Sequence, residues 1–481
     1  MSSQFLSLLS AYCAVFFLNY FGLKYQKKKP AISFFCARVL WLDDTSSKYF
    51  AQVLLLVSVS CSIWEKISTT NFCVVTEKGD VMAISAQEAK EFESEVNNWM
   101  QENKPVDPGF ILPETFMEVG TDQQFEYLRD WQNKVYEAGF VGMAWPKEYG
   151  GGGMSQEFQD IATKSMAIHK VPFLPNTIGL NWAGPLILHM GTEADKQKYI
   201  KGILSGEDIW CQGFSEPDHG SDLGNSQCKA TKDGDEYVIN GSKIWTSLGT
   251  YAKYMILLAR TSAGGDSKYA GLSYFLAPMD VEGVDPKPIK KLTGEYGFCQ
   301  TYFDDARIPA SCLMGQEGEG WKIAMITLTF ERGATGGQAG GLATMDLSVD
   351  DVVELAKRSK RNGRPALEDP LIRDELVQLV IEARGNQLMS SRSNVGALAT
   401  DWPTAIPMSG KLRGSELKRR MCKFAVALQG ANGARFVSAE AVDGGMWQRS
   451  YLNAFSGTIG GGTSQIQGNI IGERVLGLPK S

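Results

Sequence analysis

At 481 residues with 43% hydrophobic content, the chain has length for about three domains and enough apolar side chain to build sizeable cores. Its net charge of -6 and pI of about 5.4 argue against a basic nucleic-acid surface as its main feature. Nine cysteines without a CxxC pair argue against a disulfide framework or a structural zinc site, and no metal is expected.

Residues 1–81 carry a net +3 and hold only two glycines, Gly22 and Gly79. Within them Phe5 to Leu23 is an uncharged run of 19 residues followed by Lys24 and Lys27 to Lys29, the length and flank of a membrane span with the remainder on the cytoplasmic side. No basic n-region precedes it, so a cleaved secretory signal fits poorly. The shift of composition at Met82, where a helix-forming segment begins, favours a gene-model extension over an anchor. On that reading the remainder is cytoplasmic in a bacterium, or in the mitochondrial matrix in a eukaryote.

Residues 82–206 read as helical. Thr121 and Gln124 make a capping box, Phe125, Leu128, Trp131 and Val135 recur at helical spacing, and Gly139 supplies a left-handed stop. Residues 207–318 change to short strands. Asn240-Gly241 between Tyr237-Val238-Ile239 and Ile244-Trp245 predicts a hairpin turn, and Tyr254 to Ala259 and Leu272 to Ala277 are apolar strand runs. Helical spacing returns in residues 319–481, where Asp369-Pro370 caps a helix carrying Ile372, Leu376, Leu379, Val380 and Ala383. The fold class is α+β: helices, a β domain, helices.

GxGxxG, GxxxxGK[ST] and GxSxG are all missing, so classical dinucleotide folds, phosphate loops and the hydrolase elbow lack sequence support. Three histidines, His169, His189 and His219, cannot form HExxH. The densest polar and aromatic stretch runs from Trp210 through Gln212, Phe214, Ser215, Glu216 and His219 to Ser221 and Asp222, with Lys243-Ile244-Trp245-Thr246-Ser247 some twenty residues later. Glycines and short hydroxyls there expose N–H and O–H donors to an acceptor-rich ligand, and a tryptophan can cover a flat ring.

This stretch resembles the middle-domain signature of the FAD-dependent acyl-CoA dehydrogenase family. Ile459-Gly460-Gly461-Gly462-Thr463-Ser464-Gln465-Ile466-Gln467 resembles the family's closing motif, and Trp145-Pro146-Lys147-Glu148-Tyr149-Gly150-Gly151 and Gly191-Thr192-Glu193 resemble its N-terminal domain. The likeness runs from about residue 86 to 480. It implies an N-terminal helical domain, a middle β-barrel-like domain and a C-terminal four-helix bundle. It also implies flavin contacts from Gln212, Phe214, Ser215, Trp245 and Ser247, contacts to the ADP half from Thr463 and Gln465, and acyl-CoA contacts from Ser221, Arg332 and Gly461.

The family's reaction needs a carboxylate to take the α-proton of an acyl thioester whose carbonyl oxygen is hydrogen-bonded, while flavin takes the β-hydride. Much of the family places that carboxylate two residues before the closing-motif threonine, where this chain has Gly461. In Thr327-Leu328-Thr329-Phe330-Glu331-Arg332-Gly333, Glu331 falls where isovaleryl-type and long-chain-type members place the base on another helix. An apolar pocket would raise its pKa toward the working pH. The alternative for Glu331 is a structural ion pair with Arg332 or Arg307.

The chain departs from the family at Arg-x-x-Phe-Gly, which reads Ser359-Lys360-Arg361-Asn362-Gly363; Arg358 or Arg361 is the candidate replacement. The family is usually a homodimer or homotetramer that passes electrons to an electron-transfer flavoprotein, and both are expected here. Two alternatives stand beside the dehydrogenase: a non-catalytic or half-site subunit of a mixed oligomer, and an acyl-CoA oxidase.

Overall fold

Ser85 opens the first helix with a reciprocal cap, its hydroxyl accepting from the Glu88 N–H while the Glu88 carboxylate accepts from the Ser85 N–H. The computed structural model describes residues 84–265, 267–331, 347–392, 405–436 and 438–479, all in the unit Asp80–Ser481. The run Phe5 to Leu23 lies outside them. Among the described residues no helix is long and apolar enough to cross a membrane.

Five helices form the first block: α1 (Ala86–Asn103), α2 (Asp122–Glu137), α3 (Gln156–Ile168), α4 (Gly184–Met190) and α5 (Glu193–Ser205), with a π turn at Gly179–Ala183 leading into α4. The predicted face of α2 is buried, and Trp131 stacks on Trp99 of α1 with ring centroids 5.9 Å apart. Only half of its capping box forms. The Thr121 hydroxyl accepts from the Gln124 N–H, but the Gln124 side chain reaches one residue further back, to the Gly120 N–H.

The β block holds β1 (Trp210–Gly213), β2 (Lys229–Asp233), β3 (Glu236–Ser247), β4 (Tyr254–Arg260), β5 (Leu272–Pro278), β6 (Val284–Ile289), β7 (Phe298–Pro309) and β8 (Leu313–Met314). They pair in the order β6-β7-β3-β2-β4-β5-β8, with β1 parallel to β4. Alternate residues of β1, β3, β4, β5 and β7 meet in one core that includes Cys211, Tyr237, Met255, Phe275 and Phe303. The other face of β1, β4 and β5 packs on the helical block through Trp210, Ile256 and Tyr274.

The hairpin predicted at Asn240-Gly241 does not form there. β3 runs straight through it, and the strands turn at Gly234-Asp235, between Asp233 and Glu236. Asn240 instead bridges to β7, donating to Asp305 Oδ1 at 2.9 Å and accepting from the Asp305 N–H at 3.0 Å across a bulge.

The last block starts with α6 (Gly320–Glu331) and continues through α7 (Val349–Arg358), α8 (Pro370–Ser391), α9 (Ala405–Leu428), α10 (Met446–Gly457) and α11 (Ser464–Ile470), with the two short strands β9 (Lys360–Arg361) and β10 (Arg364–Pro365) between α7 and α8. Helices α7 to α10 share a core of Val352, Leu355, Leu376, Leu417, Phe424 and Trp447. Asp369 caps α8 through the Leu371 N–H, as predicted.

Candidate active site

Glu331 ends the described part of α6 on the same stripe as Gly320, Ala324 and Thr327, the side that packs on β5. Two contacts fix that packing. A Cβ on Gly320 would stand 2.5 Å from the Ser273 carbonyl carbon, so only glycine lets the helix start so close to the strand. One turn before Glu331, the buried Thr327 and Tyr274 hydroxyls pair at 2.9 Å. Burial, with the Glu331 charge adding to it, pushes the Tyr274 phenol far above its ordinary value, so it stays neutral beside the carboxylate.

β1 approaches from a second side. Asn176 accepts from the Trp210 N–H at 3.0 Å and anchors the strand to the helical block. Two residues on, and therefore on the same face, Gln212 brings Nε2 to 3.5 Å from Glu331 Oε2.

The closing glycines form the third side. An ideal Cβ on Gly461 would lie 2.9 Å from Glu331 Oε1 and 3.8 Å from Lys411 Cε. Gly461 also has φ +63°, which disfavours any other residue. Its N–H meets no acceptor among the described residues. A donor with no acceptor among the described residues thus sits beside a carboxylate that the Gln212 amide approaches and a close-packed helix positions.

A second surface is built on β1 and β3. The Ile244 N–H donates to the Ser215 carbonyl at 2.9 Å, which lays residues 214–216 along β3. The Lys243 ammonium locks this arrangement, donating to the Phe214 carbonyl at 3.0 Å and to Glu216 at 2.8 Å with both side chains buried. Burial pushes the Glu216 carboxyl up, but Lys243 and the Gln227 and Cys228 amides more than offset this, and it lies below its ordinary value. The next residue, Trp245, is the extra residue of a bulge between the β3 and β7 ladders, at φ +63°. Its indole is 54% exposed and meets Phe298 edge-on at 5.8 Å. Ser247 follows, nearly buried.

A bulky residue held in a left-handed conformation with its ring exposed is costly, and such strain concentrates where a ligand is clamped. The residues present fit a planar ring with a polar edge: an exposed indole such as that of Trp245 can lie against the ring, and short hydroxyls such as those of Ser215 and Ser247 can meet its edge. FAD matches that description. Thr463 caps α11, its hydroxyl accepting from the Ile466 N–H at 3.1 Å, and Gln465 is exposed on that helix's first turn.

Several expected residues lie elsewhere. The Phe214 side chain is buried edge-on against Tyr274. Ser221 is exposed on the loop after β1, with no hydrogen bond to Glu331 or Gly461. Arg332 lies outside the described residues. Arg307 is occupied by Asp233 and Glu236, so the ion pair it offered as an alternative for Glu331 does not form. Arg358 is taken by a two-pronged contact to Asp443, which Trp447 also holds, while Arg361 lies exposed on β9. Lys243, Lys411, Gln467, Tyr274 and Thr327 escape sequence reading. Glu216 and Lys243 do lie inside the recognised motifs, and a charged pair flanking apolar strand residues was the available signal.

The chain matches the family descriptions "Acyl-CoA dehydrogenase, N-terminal domain" over residues 87–207, "Acyl-CoA dehydrogenase, middle domain" over 211–306 and "Acyl-CoA dehydrogenase, C-terminal domain" over 318–476. It is 38% identical over 404 residues to "Acyl-CoA dehydrogenase IpdE1" of Mycolicibacterium smegmatis, covering 82% of this chain and 98% of that one. Among solved structures it is similar to "Tcur3481-Tcur3483 steroid ACAD", with TM-score 0.67 and 29% identity over 84% of this chain and all of that one. It is likewise similar to the ChsE4-ChsE5 complex of Mycobacterium tuberculosis, with TM-score 0.64 and 27% identity over 83% of this chain and all of that one.

Proposed function

The chain belongs to the acyl-CoA dehydrogenase family, and from that premise we propose that Glu331 is the base that takes the α-proton of the acyl-CoA thioester. The activity is FAD-dependent acyl-CoA dehydrogenation to the 2,3-enoyl-CoA. FAD supplies the acceptor for the β-hydride.

The observation that carries the base assignment is the closeness of Glu331 Oε1 to Gly461, where an ideal Cβ would stand 2.9 Å from it and whose N–H meets no acceptor among the described residues. An α-proton becomes removable when a carboxylate faces it and a donor stabilises the negative charge that develops on the thioester oxygen. Glu331 supplies the first and the Gly461 N–H the second, side by side. Gln212 steadies the carboxylate. Ser215, Trp245 and Ser247 hold the flavin ring, Thr463 and Gln465 its ADP half, and Ser221 and Arg332 the CoA portion of the substrate.

Electrons leave to an electron-transfer flavoprotein, and the acyl group is polycyclic, as the steroid enzyme among the structural neighbours suggests. A homo-oligomer is the simplest assembly. A mixed oligomer is the second reading: Arg358 is committed to Asp443 and Ser359 to the Leu355 carbonyl, which leaves the exposed Arg361 as the candidate to reach a second copy's cofactor. Two of the similar structures also name two proteins each.

The test is anaerobic bleaching of the flavin near 450 nm by short, branched and polycyclic acyl-CoA esters. Bleaching by the wild type and its loss in Glu331→Gln supports the dehydrogenase and its base. Yellow protein that makes hydrogen peroxide without an acceptor protein points to an oxidase. Colourless protein that gains flavin only with a partner chain points to the mixed oligomer.

A further inference from the structure

We propose that Lys411 and Gln467 are positioning residues that aim the Gly461 N–H at the thioester carbonyl. The inference rests on the reading of Glu331 as base and Gly461 as donor.

The problem they solve is mechanical. Gly461 and Gly462 are consecutive left-handed glycines at φ +63° and +90°, the most pliable kind of backbone. A donor lowers a barrier only if its direction is fixed before charge develops; otherwise the cost of aiming it is met during the reaction. Two glycines in series would wander.

Both carbonyls of this pair are held, from two different helices. Gln467 of α11, fully buried, donates from Nε2 to the Gly461 carbonyl at 3.0 Å. Lys411 of α9, half-buried, donates from Nζ to the Gly462 carbonyl. On the other side the Gly460 N–H is fixed to the Ser456 carbonyl at 2.8 Å. The peptide that carries the Gly461 N–H is therefore bracketed by anchored peptides. Its hydrogen has no acceptor among the described residues and lies beside Glu331 Oε1.

Four variants test this in the flavin-loaded enzyme: Lys411→Met, Gln467→Met, Lys411→Arg and Glu331→Gln. The first readout is the anaerobic rate of flavin reduction per bound FAD. The second uses a 3-thia-acyl-CoA, in which sulfur replaces the β-carbon so that no hydride can leave. Deprotonation of the bound probe at its α-carbon is followed by the long-wavelength absorption of a thioester anion beside oxidised flavin. Removing one oxyanion donor outright costs about 100- to 1,000-fold, so mis-aiming one should cost about 10- to 100-fold. Both methionine variants should lose that factor per flavin, and the pH midpoint for probe deprotonation should rise by about one unit for each tenfold. Lys411→Arg should restore both values.

Unchanged rate per flavin and unchanged midpoint in both methionine variants, with only flavin content or melting temperature lowered, would reduce these residues to structural ties. A shift in Lys411→Met alone would also overturn the clamp, since removal of the lysine charge would then account for it. Glu331→Gln separates the two readings. If it still deprotonates the probe as the wild type does, the base assignment fails whatever the clamp variants show.

Discussion

The bare Cα of Gly461 lies against the carboxylate of Glu331, so closely that a Cβ there would stand 2.9 Å from Oε1. One site cannot hold a side chain from 461 and a carboxylate from 331 together. Gly461→Glu alone should therefore lower flavin reduction by displacing Glu331. The double variant Glu331→Gly with Gly461→Glu should recover more activity than either single one, because residues that share one space are non-additive. Stopped-flow reduction rates of the three variants and the wild type close the cycle, and strictly additive losses would sink the shared-space account.

On the proposed assignment, Glu331→Gln keeps shape and removes the base. A positioned base contributes on the order of 100- to 10,000-fold. The reduction rate should fall by that factor while FAD content and acyl-CoA affinity stay near wild type. An unchanged rate would show that the proton leaves by another route.

Lys243 and Glu216 tie the loop after β1, proposed to face the flavin, to β3, and both are buried. Removing one partner of a buried pair leaves an uncompensated charge and costs about 3–5 kcal/mol. Lys243→Met should lose that stability in denaturant unfolding, and it should lose flavin before it unfolds, because Phe214 and Ser215 are released. A variant that retains full flavin at its lower melting temperature would show that the loop does not need the tie.

Two Asn-Gly pairs show what was legible and what was not. Asn362-Gly363, where no turn is predicted, makes the tight turn such a dipeptide favours, with φ of 52° and 79° between β9 and β10. Asn240-Gly241, flanked by a better strand pattern, instead becomes a bulge, because β7 offers Asp305 as partner to both ends of the Asn240 amide. Local chemistry allows both outcomes, and the neighbouring strand chooses. The strand runs and the caps at Thr121 and Asp369 follow from spacing, whereas the candidacy of Glu331 comes from the family resemblance. Lys411 and Gln467 left no such trace, since they act on backbone carbonyls, and no side-chain pattern records which carbonyl a distant lysine will meet.

The last prediction concerns pH. Glu114 and Ser450 share a buried hydrogen bond where α10 meets the segment before α2, next to the Arg449–Glu118 pair. Burial pushes the Glu114 carboxyl up to about 7, the nearby Glu118 charge adding to it and Lys418, Ser450 and Arg449 opposing it. In the unfolded chain the same group titrates near its ordinary value of 4.5. Between these values the folded state holds a proton that the unfolded state has released, so this group's stabilisation is complete below about 4.5 and is lost as pH rises through about 7. At 1.36 kcal/mol per unit the span is worth roughly 3 kcal/mol, an upper figure. Glu114→Gln stays neutral throughout. Its unfolding free energy relative to wild type should therefore rise between pH 5 and pH 8, as the wild type loses what the variant keeps. Denaturant unfolding at a series of pH values measures the difference, and a difference that does not change with pH would mean Glu114 is already ionised in the folded protein.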